Sequence, residues 1–252
     1  MNKRQDKLLE ILKMRCSVDV VTLVEELGAS ESTIRRDLCQ LEDQNLLSRT
    51  FGGAKLRPIP SLVAQNFQDK MQQMSAEKER IALKAIELVK PGMTLALDSG
   101  STVWRVAAAL RSKVPLTIIT CTLSVVEELG TEPDISIVFT GGKFRIGNLD
   151  FIGANTVATF SRFHADLAFI GIDSFLPGKG AFSVDSDSAE IGQALANNSD
   201  KCAVVADHSK FNAKGCFQII RNTEIDYLIT DNGLELEVRE KVTSEPYELI
   251  LA

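Results

Sequence analysis

Apolar residues in the first part of the chain recur with a helical period. Leu8, Ile11 and Leu12 share the inner face of an opening helix that starts near residue 3. Val20, Leu23, Val24 and Leu27 then fall at i, i+3, i+4 and i+7, the stripe of a second, short helix. Gly28 supplies the left-handed position that stops it. Ser30 follows as the N-cap of a third helix, since its hydroxyl can satisfy an orphan backbone N–H, and there Ile34, Leu38 and Leu41 point inward. LLSRT, Gly52-Gly53 and AKLR come next, two short extended segments around paired glycines, the pattern of a hairpin. The period is then lost: residues 58–74, with two prolines and many glutamines, read as a linker of partly extended structure. A helix is predicted from Ser75 to about Val89, ended by Pro91-Gly92.

Beyond residue 92 short, continuous apolar runs alternate with helical stretches. The runs at 94–98, 116–120, 135–139, 167–172, 202–207, 226–230 and 247–251 are strand candidates. Helices are predicted at 102–112, 122–130, 154–161, 186–198 and 234–243. Apolar strands separated by helices predict an α/β domain whose mostly parallel sheet is covered on both faces. The expected organisation is therefore a small helix-turn-helix domain with a β-wing at 1–57, the linker, and a larger α/β domain at 75–252.

Composition narrows the class. A chain of 252 residues, 44% hydrophobic and 25% charged, suits a soluble globular protein of two domains. A net charge of −6 argues against a nucleic-acid binder until it is split: ten Lys/Arg stand against nine Asp/Glu in residues 1–57, and eighteen against twenty-five thereafter. A head so nearly neutral must gather its arginines on one face, and phosphate affinity should be salt-sensitive. The five cysteines are scattered, without a C-x-x-C pair, so reduced thiols in a cytoplasmic protein are expected. Two histidines and no ligand spacing leave no expectation of a metal. No signal peptide or membrane span is evident.

The head carries its candidate chemistry on the third helix and the wing. Ser32, Thr33, Arg35 and Arg36 lie near the N-terminal end of that helix, small hydroxyls and guanidiniums where a major groove would be entered, with apolar anchors behind them. Arg49, Gly52, Gly53, Lys55 and Arg57 would meet phosphates from the wing. An ordinary helical hairpin with a solvated basic face would show much of the same pattern.

In the second domain, ligands of open α/β sheets bind beyond the carboxyl ends of the strands. The first strand leads into Asp98-Ser99-Gly100-Ser101-Thr102, a glycine-containing turn at a helix start that could cradle a phosphate or simply cap the helix. Gly141, Gly142 and Lys143 follow the third strand, either for close approach to a ligand or as a tight turn. Asp173 ends the fourth. Asp185, Asp187 and Glu190 sit around a helix start, where acids also complement the dipole. Asp207 and Lys210 follow the fifth strand, the lysine suited to an anionic group. Together these suggest a sugar-phosphate site, an anion clamp with carboxylates to accept hydroxyl hydrogen bonds. PGKG at 177–180 lacks the first glycine and the hydroxyl of a Walker A loop, and Trp104 is expected in the core.

TIRRDL, the following LE and R-x-x-GGA resemble the signature of the DeoR family of bacterial transcriptional regulators. Phe51 departs from it, where the family often carries a histidine. The second domain resembles that family's effector domain, similar in fold to ribose-5-phosphate isomerase. There the D-x-G-[ST]-T loop matches Asp98, Gly100, Ser101 and Thr102; the GG turn matches Gly141 and Gly142; the acidic residue before a helix matches Glu190; and D-x-S-K-F matches Asp207, Ser209, Lys210 and Phe211. At Gly192 relatives commonly have a lysine. The resemblance implies a repressor of a carbohydrate operon, a dimer or tetramer that operator DNA loses when a phosphorylated sugar or polyol binds, needing no cofactor. The rival is an isomerase with a DNA-binding head, Glu190 as general base and Lys210 as electrostatic partner.

Overall fold

Asp19 and Gly28 delimit the second helix of the head, and each does so by a specific contact. The Asp19 carboxylate accepts the Thr22 N–H at 2.8 Å, and Gly28, in the left-handed region at φ 61°, donates to the Val24 carbonyl. The computed structural model of the chain describes residues 3–15, 17–43, 47–50, 52–56, 67 and 69–252. Phe51, Arg57 and residues 58–66 of the expected linker lie outside the described residues. The chain divides between Ser61 and Leu62 into two compact units.

The first unit comprises α1 (Lys3–Arg15), β1 (Ser17–Asp19), α2 (Val20–Leu27), α3 (Glu31–Asp43), β2 (Leu47–Arg49) and β3 (Gly53–Leu56). The expected inner residues Leu8, Ile11, Leu12, Leu23, Ile34, Leu38 and Leu41 form its core. The wing is a three-stranded antiparallel sheet in the order β1-β3-β2. Its third strand, β1, is too short for any period to reveal. Asp37 of α3 is buried and ties that helix to α1 through Arg4 and Gln5.

The second unit contains α4 (Ser75–Ala85), β4 (Thr94–Leu97), α5 (Ser101–Ala109), β5 (Leu116–Thr120), α6 (Leu123–Leu129), β6 (Ile135–Phe139), β7 (Lys143–Arg145), β8 (Asp150–Ile152) and α7 (Ala154–Phe160). It continues with β9 (Ala165–Gly171), β10 (Ser174–Leu176), β11 (Gly180–Ser183), α8 (Ser186–Asn197), β12 (Ser199–Val205), β13 (Phe217–Arg221), β14 (Tyr227–Thr230), α9 (Leu236–Thr243) and β15 (Glu248–Leu251). The seven expected strands all join one sheet in the order β15-β14-β12-β9-β4-β5-β6, every pairing parallel.

Alternation along those strands builds two cores, one on each face. Ala96, Ala168, Ile170, Val204 and Leu228 face one, with Phe175, Phe211 and Tyr247; Leu95, Leu97, Phe169, Val205 and Ile229 face the other, with residues of α4 and α5. Trp104, expected in the core, is half-buried instead, with the Arg105 guanidinium 5.2 Å from its ring.

The sheet order places the ligand-binding edge. From β4 the chain winds outward through β5 and β6; from β9 it winds the other way through β12, β14 and β15. β4 and β9 are hydrogen-bonded neighbours, so their carboxyl ends meet at the topological switch point, where open α/β sheets form a crevice. Two smaller elements cover this edge, the hairpin β7–β8 and the antiparallel sheet β10-β11-β13. The tight turn between β10 and β11 is Pro177-Gly178-Lys179, with Gly178 and the first residue of β11, Gly180, both at positive φ.

Candidate functional site

At the carboxyl ends of β4 and β9 a cleft of about 650 Å³, its mouth included, is lined by Asp98, Ser99, Gly100, Ser101, Thr102, Asp173 and Lys210 among the expected residues. Gly100, at φ 112°, turns the chain from β4 into α5 and leaves the first-turn N–H groups facing the cleft, a positive helix end. Asp98 is buried at the base. It accepts the Ser99 amide at 2.7 Å and the Gly171 amide at 3.2 Å. Burial nevertheless raises its pKa to about 7, aided by the nearby Asp150. Asp173 is held the other way: burial disfavours its charge, but Lys70, the Val184 amide and the Ser183 hydroxyl together keep its pKa below the usual carboxylate range.

Asp98 therefore has a pH signature. A carboxyl whose folded pKa lies above its unfolded one takes up protons on folding between those values. Its contribution should be most favourable toward pH 4 and decline as pH rises through about 7. Asp98→Asn should flatten the dependence of chemical-denaturation stability on pH between 5 and 8; an unchanged slope would move the effect to another group.

Lys70 was missed. It falls in the stretch expected to be linker, yet residues 69–72 are helical, Phe67 is buried, and the Lys70 ammonium lies 3.4 Å from Asp173. The cause is Lys78, a buried lysine on α4 that donates to the carbonyls of Lys70 (2.5 Å) and Gln73 (2.6 Å) and so pins that turn. Burial lowers the Lys78 pKa to about 8, opposed by Asp207. Nothing in the residue pattern around 58–74 signals this, because the tie runs from outside it.

The remaining expected residues are not among those lining the cleft. Gly142 has a packing role: a Cβ there would lie 2.1 Å from the Thr156 hydroxyl, which donates to the carbonyl of Gly141, itself at φ 65° with open space around it. Lys143 is exposed on β7. The chemistry of that hairpin belongs to Arg145, also missed, whose guanidinium bridges the fully buried Asp150 at 2.6 Å and Asp185 at 2.5 Å. Asp185 caps α8 by accepting the amide and hydroxyl of Ser188, which does line the cleft. Asp207 is buried and caps the 3-10 turn at 208–212 through the amide and hydroxyl of Ser209, setting Lys210 in place. Glu190 is exposed on α8, outside the lining where an isomerase base would stand. Asp187 is half-buried in the first turn of α8.

On the head, Ser32, Arg35 and Arg36 are exposed on the first turns of α3, and Thr33 is half-buried with its hydroxyl 2.8 Å from that of Ser30. Arg35 pairs with Glu31 one turn earlier at 2.7 Å, an exposed ion pair of small worth that DNA can replace. Arg49 is exposed beside Cys39 and Glu42. Gly52 is exposed and its carbonyl accepts the Val20 amide. Gly53, expected at DNA, is instead buried: a Cβ there would lie 2.2 Å from the Val18 carbonyl, so glycine is required for β1 to pair with β3. Lys55 pairs through its backbone with Ser17 and Ser48; its side chain lies outside the described residues.

A winged helix-turn-helix unit joined to an α/β unit with a polar cleft at its switch point defines the class of two-domain DNA-binding regulators. The DeoR-like helix-turn-helix domain matches residues 4–58 and the DeoR C-terminal sensor domain matches residues 73–232. This chain belongs to the DeoR family of transcriptional regulators. It is 32% identical over 249 residues to the glycerol-3-phosphate regulon repressor of Escherichia coli K12, covering 99% of this chain and 98% of that protein. It is 32% identical over 239 residues to the HTH-type transcriptional regulator GolR of Listeria innocua, covering 95% and 94%. Among solved structures, ribose 5-phosphate isomerase A from Methanocaldococcus jannaschii superposes over 55% of each chain with a TM-score of 0.41 and 18% identity. No described helix is long and apolar enough to cross a membrane.

Proposed function

We propose that this chain is a repressor that holds operator DNA through α3 and the wing and releases it when a phosphorylated sugar or polyol occupies the cleft. The observation that carries this is the cleft itself, lined at the start of α5 by Ser99, Ser101 and Thr102 and elsewhere by Lys70, Lys210, Asp98 and Asp173. Helix N-terminus, ammonium groups and hydroxyls suit a phosphate; carboxylates suit the hydroxyls of a carbohydrate. The name of one relative, a repressor of a glycerol-3-phosphate regulon, supports the same reading, and that of the other, a transcriptional regulator, supports its DNA-binding part.

The effector must bind better to a state whose heads are badly placed for DNA, because only differential affinity shifts an equilibrium. In this reading the chain acts in the cytoplasm as a symmetric dimer or tetramer, because paired half-sites on DNA mirror a two-fold axis in the protein. Residues 1–57 would act as the DNA-binding domain and residues from Phe67 onward as the sensor.

The test uses the full chain and an operator duplex selected by it from a random pool. Fluorescence anisotropy should report release by a phosphorylated sugar or polyol and not by its unphosphorylated partner. Equal release by both, or by neither across a broad panel, would remove the phosphate from the reading. In the same assay Arg35→Ala should weaken operator binding by about 1–3 kcal/mol if the guanidinium reads a base, or lower the salt slope if it meets phosphate. No change in either would displace α3 as the recognition helix.

A further inference from the structure

Consecutive residues of a regular strand face opposite ways, yet Ile219 and Ile220 of β13 are both buried, 4% and 3% exposed. The register explains it. Phe182 of β11 pairs with Gln218 and Ala181 pairs with Ile220, which leaves Ile219 as the extra residue of a β-bulge. Bulges re-aim a side chain, and this one brings Ile219 against α8 and to the wall of the cleft. The receiving position on α8 is Gly192, where a Cβ would lie 2.4 Å from the Ile219 γ2-methyl. Ser188, one helical turn earlier on the same face, lines the cleft beside Ile219. The Gln193 amide donates to the Gln218 carbonyl at 2.9 Å, fixing helix and bulge together. So the place that a side chain at 192 would occupy is filled by an isoleucine methyl from another element.

We propose that Ile219, admitted by Gly192, is a specificity-determining residue, and that the effector presents to it a carbon bearing no hydroxyl. The ligand class is a phosphorylated carbohydrate that is deoxy, methyl-bearing or methylene at the position opposite this wall. This rests on the phosphate-site reading above. Much of the surrounding lining, Asn148, Ser183 and Ser188 among it, can hydrogen-bond a hydroxyl; Ile219 cannot, so a hydroxyl set against it loses its water partner without replacement.

The experiment is calorimetric titration of the full chain with pentose 5-phosphates and hexose 6-phosphates, each beside its monodeoxy analogues, and with inorganic phosphate. The wild type should bind at least one monodeoxy analogue about ten- to a hundredfold more tightly than its hydroxylated parent. Ile219→Thr should shrink or reverse that ratio, and Ile219→Val, equal to threonine in shape but apolar, should preserve it. Thermal midpoints of the two variants, matched to each other, separate recognition from folding. Parents binding as well as every deoxy analogue, or threonine and valine giving the same ratios, would overturn the role of Ile219 while leaving the phosphate site standing. Failure of every phosphorylated compound and of inorganic phosphate would instead bring down the phosphate-site reading, and this inference with it.

Discussion

Arg145→Ala should lower stability by about 3–5 kcal/mol, because it strands a buried carboxylate. Asp150 is fully buried and receives Nε at 2.9 Å and a terminal guanidinium nitrogen at 2.6 Å from Arg145. The same guanidinium reaches Asp185 and the Ser188 hydroxyl at the start of α8. With the cation gone, Asp150 must protonate or admit water, and the hairpin β7–β8 loses its tie to α8. For a unit of this size the thermal midpoint should fall by roughly 10 °C. Removing both charges, as in Arg145→Met with Asp150→Leu, should recover part of the loss, since the penalty lies in the unpaired charge rather than in the absence of the pair. A loss below about 1 kcal/mol in the single variant would show that the Asp150 site hydrates easily. Calorimetric scanning of the three proteins decides it.

Arg145 also marks where the sequence stops being readable. The seven sheet strands were legible because parallel strands covered on both faces are short continuous apolar runs, and each one, from 94–98 to 247–251, took its place. The three helices of the head were legible from period and from local caps at Ser30 and Gly28. What eluded the pattern is what depends on distant partners. β1 exists because Gly53 lets it approach β3, a packing demand that the expectation of a DNA contact at this glycine does not contain. Gly142 likewise makes room for Thr156. The order of strands is not written in their composition, and only that order shows that β4 and β9 meet, which is why Asp98 and Asp173 share one cleft while Gly141 and Lys143 stand outside its lining. Lys70 looked like linker because the lysine that holds its turn lies eight residues on, inside another helix.

Ser101→Glu should abolish the response to effector while leaving operator binding within a fewfold of wild type. Ser101 is the first residue of α5, 6% exposed, and lines the cleft where the helix N–H groups converge. A carboxylate on the first turn is compatible with the fold, since the positive helix end stabilises a negative charge there by about 0.3–1 kcal/mol. That same carboxylate takes the place and the donors a phosphate would use, and it adds a negative charge where a second anion must come. Loss of even one hydrogen bond to a charged ligand is worth about 1.5–3 kcal/mol, and here several donors are lost together with the repulsion. Effector affinity should therefore fall more than a hundredfold, by more than about 2.7 kcal/mol. Ser101→Ala, which removes one hydroxyl and keeps the backbone cradle, should lose no more than that single hydrogen bond, roughly ten- to a hundredfold. The gap between the two variants is the informative quantity, because general damage to the cleft would weaken them alike. Anisotropy with the selected operator reads both binding and release in one titration. Release of Ser101→Glu at wild-type effector concentrations would place the phosphate elsewhere than the start of α5.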